Sequence, residues 1–291
     1  MQTSGMTHNV VIDFGQTRIL SDGEFKQFSD LIYAECGVHI SLDKRLFLES
    51  RLKKRMDELG IQSGREYFAF VTSTRNKFHE LPTLLDALMI CETSFFRNGP
   101  QFELLRNVVL PEVIAKKEPA GSRLLRVWSA GCSTGQEPYS AAITLLEAVD
   151  HPATWTLRVF ASDLSFTALE RAQSGVYRQD QMKNVNPYLL KKYFQEEGAG
   201  YAVKEEVKRL VTFDYHNLKN DNGLRNLDAI FCRNVMIYFD QEEQQRLVER
   251  FAKCLVPGGY LFIGHAESLQ WLSNRFAMIH KDKGIAYRLV A

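Results

Sequence analysis

No run of apolar residues in this chain approaches the roughly 18 needed to span a bilayer, so nothing in it reads as a membrane segment. Signal-peptide order is missing as well: residues 1–11 are polar, with no basic stretch leading into an apolar one. The five cysteines (Cys36, Cys91, Cys132, Cys232 and Cys254) are odd in number, scattered, and form no C-x-x-C pair. That speaks against a disulfide frame and a structural zinc site, and for reduced thiols in the cytoplasm. The seven histidines are equally scattered, so no metal site is expected. Charge of one sign is not in excess either. The formal net charge is +1, and no global field draws the protein to nucleic acid or a membrane. Repeats and low-complexity tracts are absent. What is present is ordinary for a soluble globular protein: 291 residues, 45% hydrophobic and 24% charged, enough for one large domain or two small ones.

Periodicity divides the chain. Residues 1–20 read as a flexible leader. Ser21 followed three residues later by Glu24 is a capping-box pattern, and Phe25, Phe28, Leu31 and Ile32 recur at helical spacing behind it. Further helices are expected over 42–59 (stopped by Gly60), 64–71 and 76–89, so residues 21–90 form a small all-α domain. Residues 91–121 form a linker with one helix, over 101–114. From residue 122 strands and helices alternate. Strands are expected over 124–129, 156–162, 209–213, 228–232 and 259–264, and helices over 137–149, 165–173 and 241–254. A closing hairpin over 276–279 and 286–290 adds an antiparallel edge. Alternating β and α implies an α/β fold with a mostly parallel sheet covered on both faces. Residues 175–208 are too long for a simple connection and read as a small inserted subdomain of helix plus hairpin.

The most informative stretch is 128–140, where an apolar strand breaks into a small-residue turn (Ser129 to Gly135) and then a helix. Such a turn lets a ligand approach backbone that carries no Cβ. Gly131 and Gly135 are four apart, which is not the G-x-G-x-x-G spacing that cradles a pyrophosphate. A ligand without phosphates is favoured, and S-adenosylmethionine fits. The second strand ends in Ser162-Asp163. A carboxylate there is placed to accept hydrogen bonds from a ribose diol. The alternative is that Asp163 caps the helix starting near Ser165.

Three further motifs join these. Glu92-Thr93-Ser94-Phe95-Phe96-Arg97 precedes the α/β part, Ser133-Thr134-Gly135-Gln136-Glu137-Pro138-Tyr139-Ser140 follows the first strand, and Phe231-Cys232-Arg233-Asn234-Val235-Met236-Ile237-Tyr238-Phe239 closes the fourth. In this order, over about residues 21–290, the chain resembles the chemotaxis receptor glutamate O-methyltransferase family (CheR-type). The resemblance implies a Rossmann-like class I methyltransferase sheet with an N-terminal all-α domain and a small β-subdomain insertion. It also implies S-adenosyl-L-methionine as cofactor, S-adenosyl-L-homocysteine as product, and glutamate carboxylates of chemoreceptors as substrate. Carried over by position, Thr93, Arg97, Glu137, Asp163, Asn217, Leu218, Arg233 and Asn234 would surround the cofactor, and Arg97 and Tyr238 the reaction centre. Cys91 stands where some members have Asn, and Gln136 where a second Glu is common.

Methyl transfer to a carboxylate needs no strong base, because a Glu side chain with a pKa of about 4.3 is already ionised at neutral pH. Arg97 therefore reads as an orienting group, with a linker ion pair as its alternative. Tyr238 reads as orienting the attacking carboxylate, with plain packing as its alternative. Lys44, Arg45, Arg51, Lys53, Lys54 and Arg55 oppose a single Glu49 in their stretch of helix, and read either as a solvated face or as a docking surface for an acidic helical partner. The resemblance favours docking on the cytoplasmic helical region of a chemoreceptor, by a monomer, without nucleic acid. The inserted subdomain looks short for binding a receptor tail pentapeptide, so direct docking is expected. Two rivals share the sheet. A nucleic-acid methyltransferase lacks support, since there is no Asn/Asp-Pro-Pro-aromatic or Pro-Cys motif. A non-catalytic sensor of S-adenosylmethionine is the other.

Overall fold

A computed structural model of the chain describes residues 18–290. Most of the expected leader lies outside them. Its end does not stand apart from the fold: Leu20 is buried in the helical core, and the Arg45 guanidinium donates to its carbonyl. Four helices follow: α1 (Asp22–Cys36), α2 (Arg45–Leu59), α3 (Gly64–Thr72) and α4 (Lys77–Leu88). The capping box forms as the residues foretell. The Glu24 amide donates to Ser21 Oγ (3.3 Å), and the Ser21 amide donates to Glu24 Oε2 (2.8 Å). Phe25, Phe28 and Ile32 of α1 pack with Leu48 and Leu52 of α2, Tyr67 and Val71 of α3, and Leu84 and Leu88 of α4.

The linker helix is longer than expected. Helix α5 (Gly99–Leu104) runs through a π-turn (Leu105–Val109) into α6 (Leu110–Lys117). Pro111 has no amide hydrogen to give to the turn before it, and the loosened turn sits there. Then come β1 (Leu124–Ala130), α7 (Gln136–Ala148), β2 (Thr156–Asp163) and α8 (Phe166–Ser174). The insertion holds β3 (Val176–Arg178), α9 (Pro187–Tyr193), β4 (Phe194–Glu197), β5 (Gly200–Val203) and α10 (Glu205–Lys208). The strand β3, which the sequence pattern did not reveal, joins the β4–β5 hairpin to make a three-stranded antiparallel sheet, β3-β5-β4. The main sheet is completed by β6 (Val211–Tyr215), β7 (Leu227–Cys232), α11 (Gln241–Cys254), β8 (Leu255–Ile263), β9 (Phe276–Lys281) and β10 (Gly284–Leu289).

The seven strands lie in the order β6-β2-β1-β7-β8-β10-β9, all parallel except β10. Strand alternation sends neighbouring residues to opposite faces. Val127, Ala229, Phe231 and Phe262 meet α5, α6 and α7 on one side. Trp128, Ile230, Leu261 and Ile263 meet Leu247, Val248 and Phe251 of α11 on the other. Covered on both faces, β7 is buried at every position, including Asp228, which Lys117 neutralises at 2.7 Å. From β1 the chain winds outward through β2 to β6, then returns to place β7 on the other side of β1. That reversal opens a crevice at the carboxyl ends of the strands, which is where ligands bind in such sheets. Among the described residues, no helix is long and apolar enough to cross a membrane.

Candidate functional site

The turn after β1 is built from left-handed backbone: Gly131, Ser133 and Gly135 have φ of 85°, 51° and 92°. The two glycines are required by packing more than by ligand approach. A Cβ on Gly131 would lie 2.5 Å from Val235 Cγ2, and one on Gly135 would lie 2.8 Å from Ala172 Cβ. The turn is tied to the end of β2. The amides of Gly131 and Cys132 donate to the Ser162 carbonyl (2.8 and 2.9 Å), and the Ser133 amide donates to Asp163 Oδ2 (2.8 Å). Asp163 Oδ1 accepts from the Ser165 amide (2.9 Å). The helix cap is Ser165, whose hydroxyl accepts from the Ala168 amide (3.0 Å), so Asp163 is not the cap. Each Asp163 oxygen keeps a lone pair for a further donor. Burial pushes the Asp163 carboxyl above its ordinary range, with the backbone amides pulling it back.

Beside it, Glu137 opens α7. Its carboxylate accepts from Ser129 Oγ (2.7 Å) and from Arg233 Nη1 (3.3 Å), and Arg233 also donates to the Arg97 carbonyl. Burial raises the Glu137 carboxyl, against the pull of Arg233. The linker is pinned here: the Phe96 amide donates to Ser140 Oγ at 2.9 Å, and Phe95 is fully buried, edge-on to Tyr177 and Phe194 of the small sheet. Arg97 curls back so that its Nη1 donates to the Glu92 carbonyl (2.8 Å). After β7, Asn234 adopts φ 59°, and Glu267 holds this loop by accepting from the amides of Gly264, Asn234 (3.1 Å) and Ile237 (3.2 Å). Tyr238 comes next, with Lys44 Nζ 5.7 Å from its ring centroid and its carbonyl accepting from the His39 amide (2.9 Å). The helical domain thereby forms one wall.

Thr93, Arg97, Glu137, Asp163, Asn217, Leu218, Arg233, Asn234 and Tyr238, all expected from sequence, line a single cleft. Cys91 lines it too. Asn217 does so with its amide committed: Nδ2 donates to the Glu35 carbonyl (2.7 Å) and Oδ1 accepts from the Lys219 amide (3.0 Å), which closes the end of α1. Sequence reading missed His216, Ser133 and Glu267. Three atoms of cleft-lining residues, Ser133 Oγ, His216 Nε2 and Arg233 Nε, are buried with no hydrogen-bond partner. With Asp163 and Glu137 they form a polar set suited to a nucleoside bearing hydroxyl, amino and cationic groups, which S-adenosylmethionine is. Glu267 could have been suspected from its place three residues after the glycine that ends β8. His216 carries no distinguishing pattern, and Ser133 stands in the small-residue turn with nothing that sets its hydroxyl apart.

The docking patch on α2 needs correction. Arg45 is buried, its Nε donating to Glu49 Oε1 (2.9 Å) and its other nitrogens to Asp22 and the Leu20 carbonyl. Arg55 faces inward to Glu80, with Nε and Nη2 at 3.0 and 2.8 Å from its two oxygens, and also pairs with Glu58. Neither is available to a partner. Lys53 pairs with Asp57, Lys54 lies 4.0 Å from Glu58, and Arg51 sits over the Phe47 ring at 5.2 Å. Asp22, Asp57, Glu58 and Glu80 lie outside the stretch 44–55, so counting charge within it overstated the patch. Lys44, Arg51, Lys53 and Lys54 are what remains for docking. Leu46, beside them on the same helix, is also exposed.

Known relatives match the chain in both of its parts. The family model for the CheR methyltransferase SAM-binding domain matches residues 91–285, and that for the CheR methyltransferase all-alpha domain matches residues 23–89. A chemotaxis protein methyltransferase of Vibrio parahaemolyticus is 35% identical over 275 residues, covering 93% of this chain and 98% of its own. One of Escherichia coli K12 is 37% identical over 278 residues, covering 93% of each. One of Borreliella burgdorferi is 33% identical over 259 residues, covering 88% of this chain and 91% of its own. With both halves matched in order and relatives aligned almost end to end, this chain belongs to the CheR methyltransferase family.

Proposed function

We propose that this protein methylates glutamate side-chain carboxylates on the cytoplasmic helical region of chemoreceptors, giving glutamyl methyl esters in sensory adaptation. S-adenosylmethionine is the cofactor, as in the rest of the family; it supplies the methyl group and leaves as S-adenosylhomocysteine. The observation that carries the reading is one cleft at the junction of helical domain, linker and sheet that gathers Asp163, the Glu137–Arg233 pair, Arg97 and Tyr238. Asp163 takes the ribose diol on its free lone pairs. Leu218 covers the adenine, since the Asn217 amide is already spent on α1. Glu137 faces the ammonium end, held in place by Ser129 and Arg233, and Thr93 and Asn234 border the methyl.

Bound there, S-adenosylmethionine would give its methyl to the carboxylate oxygen, and the electron pair of the broken carbon–sulfur bond would stay on sulfur. A carboxylate and a sulfonium become neutral products. Because charge disappears, a cation clamped on the attacking carboxylate would oppose reaction if it favoured the ground state more than the transition state. Arg97 therefore orients, and its tether to the Glu92 carbonyl limits how far it can close on the nucleophile. The Tyr238 hydroxyl, which burial holds protonated above its ordinary range, donates to the non-attacking oxygen. Alignment and exclusion of water supply the acceleration, with about 7–11 kcal/mol as the ceiling for alignment.

Docking is direct, through Lys44, Arg51, Lys53 and Lys54, by a monomer. The β4 edge of the small sheet carries Glu196 and Glu197 and is only four residues long, which supports no tethering of a receptor tail peptide. Titration with a tail pentapeptide checks this, and tight binding would reverse it. The main test is transfer of tritiated methyl to receptor-rich membranes. The product is expected to be lost as methanol in mild alkali. An alkali-stable product would mark a nucleic-acid or amino-group methyltransferase, and no transfer with intact cofactor binding would mark a sensor.

A further inference from the structure

We propose that Asp86, on α4 of the helical domain, is a positioning residue for the cofactor, acting on Asp163 through Ser165. The proposal rests on the assignment of Asp163 to the cofactor. Asp86 lies outside the cleft lining, yet its carboxylate reaches across to the amino end of α8. There Oδ1 accepts from the Ser165 hydroxyl and the Thr167 amide (3.3 Å), and Oδ2 accepts from the Thr167 hydroxyl (2.6 Å). Ser165 is thereby held at every polar atom of its cap. Its hydroxyl donates to Asp86 and accepts from the Ala168 amide, and its own amide donates to Asp163 Oδ1 at 2.9 Å. The other Asp163 oxygen is fixed by Ser133. The carboxylate offered to the ribose is therefore aimed by two amides, one in the glycine turn and one anchored to a different domain.

Packing carries the same coupling. Ser165 is 2% exposed, and Leu164, between it and Asp163, packs against the helical core rather than the sheet. Beyond Asp86 the same helix end delivers Met89, Ile90 and Cys91 to the cleft wall. A two-point clasp of this kind fixes the 163–167 loop against α4 without adding a contact to the ligand. Loss of a charged acceptor leaves the buried Ser165 hydroxyl without its partner and frees the loop to shift.

The test is calorimetric titration of S-adenosylhomocysteine into the full chain and three variants. Asp86→Ala is expected to weaken binding about tenfold, equivalent to about 1.4 kcal/mol. Asp86→Asn keeps an acceptor oxygen for Ser165 and is expected to stay within about threefold of the parent. Tyr67→Phe removes a buried hydrogen bond to Glu80 (2.6 Å) in the same helical domain, away from the cleft, and controls for general loosening. It is expected to lower Tm while leaving affinity unchanged. Unchanged affinity in Asp86→Ala overturns the proposal. So does equal weakening in Tyr67→Phe, or Asp86→Asn binding as poorly as Asp86→Ala. Asp163→Ala titrated alongside separates the two claims: if it binds as the parent does, the ribose assignment fails and the proposal with it.

Discussion

At the scale of single residues, the site is a set of side chains whose backbone partners aim them. Asp163→Ala removes the proposed ribose acceptor and strands the amides of Ser133 and Ser165, so cofactor affinity is expected to fall at least tenfold, by about 1.4 kcal/mol or more. Equilibrium titration measures it, and unchanged affinity would exclude the assignment. Protons give a second readout. Burial raises both Asp163 and Glu137 above the ordinary carboxylate range. Carboxyls raised in the folded state contribute stability that is present below their unfolded values near 4, and lost as pH rises through the raised values. A cationic ligand favours the ionised forms, so it pulls both pKa values down and releases protons on binding. Affinity is then expected to rise with pH across the window from about 4 up to the raised values. Calorimetry in two buffers of different ionisation enthalpy reads the release, and proton uptake or pH-independent binding would contradict it.

At the scale of elements, the basic residues of α2 divide by direction. Leu48, Leu52 and Met56 face the core, and Arg55 goes with them to reach Glu80, which also accepts from Tyr67. The pair is mostly buried, with side-chain exposures of 16% and 7%. Removing Glu80 leaves Arg55 only the half-exposed Glu58 as counter-charge and leaves the buried Tyr67 hydroxyl without its acceptor, so Glu80→Ala is expected to cost about 3 kcal/mol in urea unfolding. Cofactor affinity, measured on the folded variant, should be unaffected. A loss under about 1 kcal/mol would mean that water and the existing Glu58 pair satisfy Arg55, and would return it to the surface set. The linker shows the same division. In Thr93-Ser94-Phe95-Phe96-Arg97, the two Phe residues anchor the segment, against the small sheet and against Phe102. Thr93 and Arg97 face the cleft.

At the scale of the whole molecule, near-neutral charge and a modest basic face imply that receptor encounter is steered locally. Lys53 and Lys54 are exposed and do not line the cleft. Reversing both to Glu is expected to lower kcat/KM for receptor about tenfold or more at low salt while leaving cofactor affinity unchanged, and the gap should narrow as salt rises. A salt-independent defect, or none, would move docking elsewhere on the molecule. The helical domain has a second part in the assembly. Tyr33 donates to Asp240 (2.7 Å), Lys219 donates to the carbonyl of Ala34 (2.7 Å), and Asp86 clasps α8, so the domain closes the cleft and also carries the residues proposed for docking.

The sequence alone determined what local patterns encode. Alternating strands and helices specify the parallel sheet, and strand-end motifs specify which residues meet at its carboxyl edge. These are short-range signals, fixed by backbone sterics and by which faces must be apolar. Only tertiary structure decided the rest. Arg45 and Arg55 turned inward because their partners Asp22 and Glu80 stand 23 and 25 residues away. Asn217 was drawn to α1, 182 residues distant. Glu267 and Asp86 became supports for loops they do not belong to. Strand β3 formed because a neighbouring hairpin supplied hydrogen bonds that three residues cannot supply for themselves. A polar side chain's role depends on which partner the fold brings within about 3 Å, and that distance is written in no local pattern.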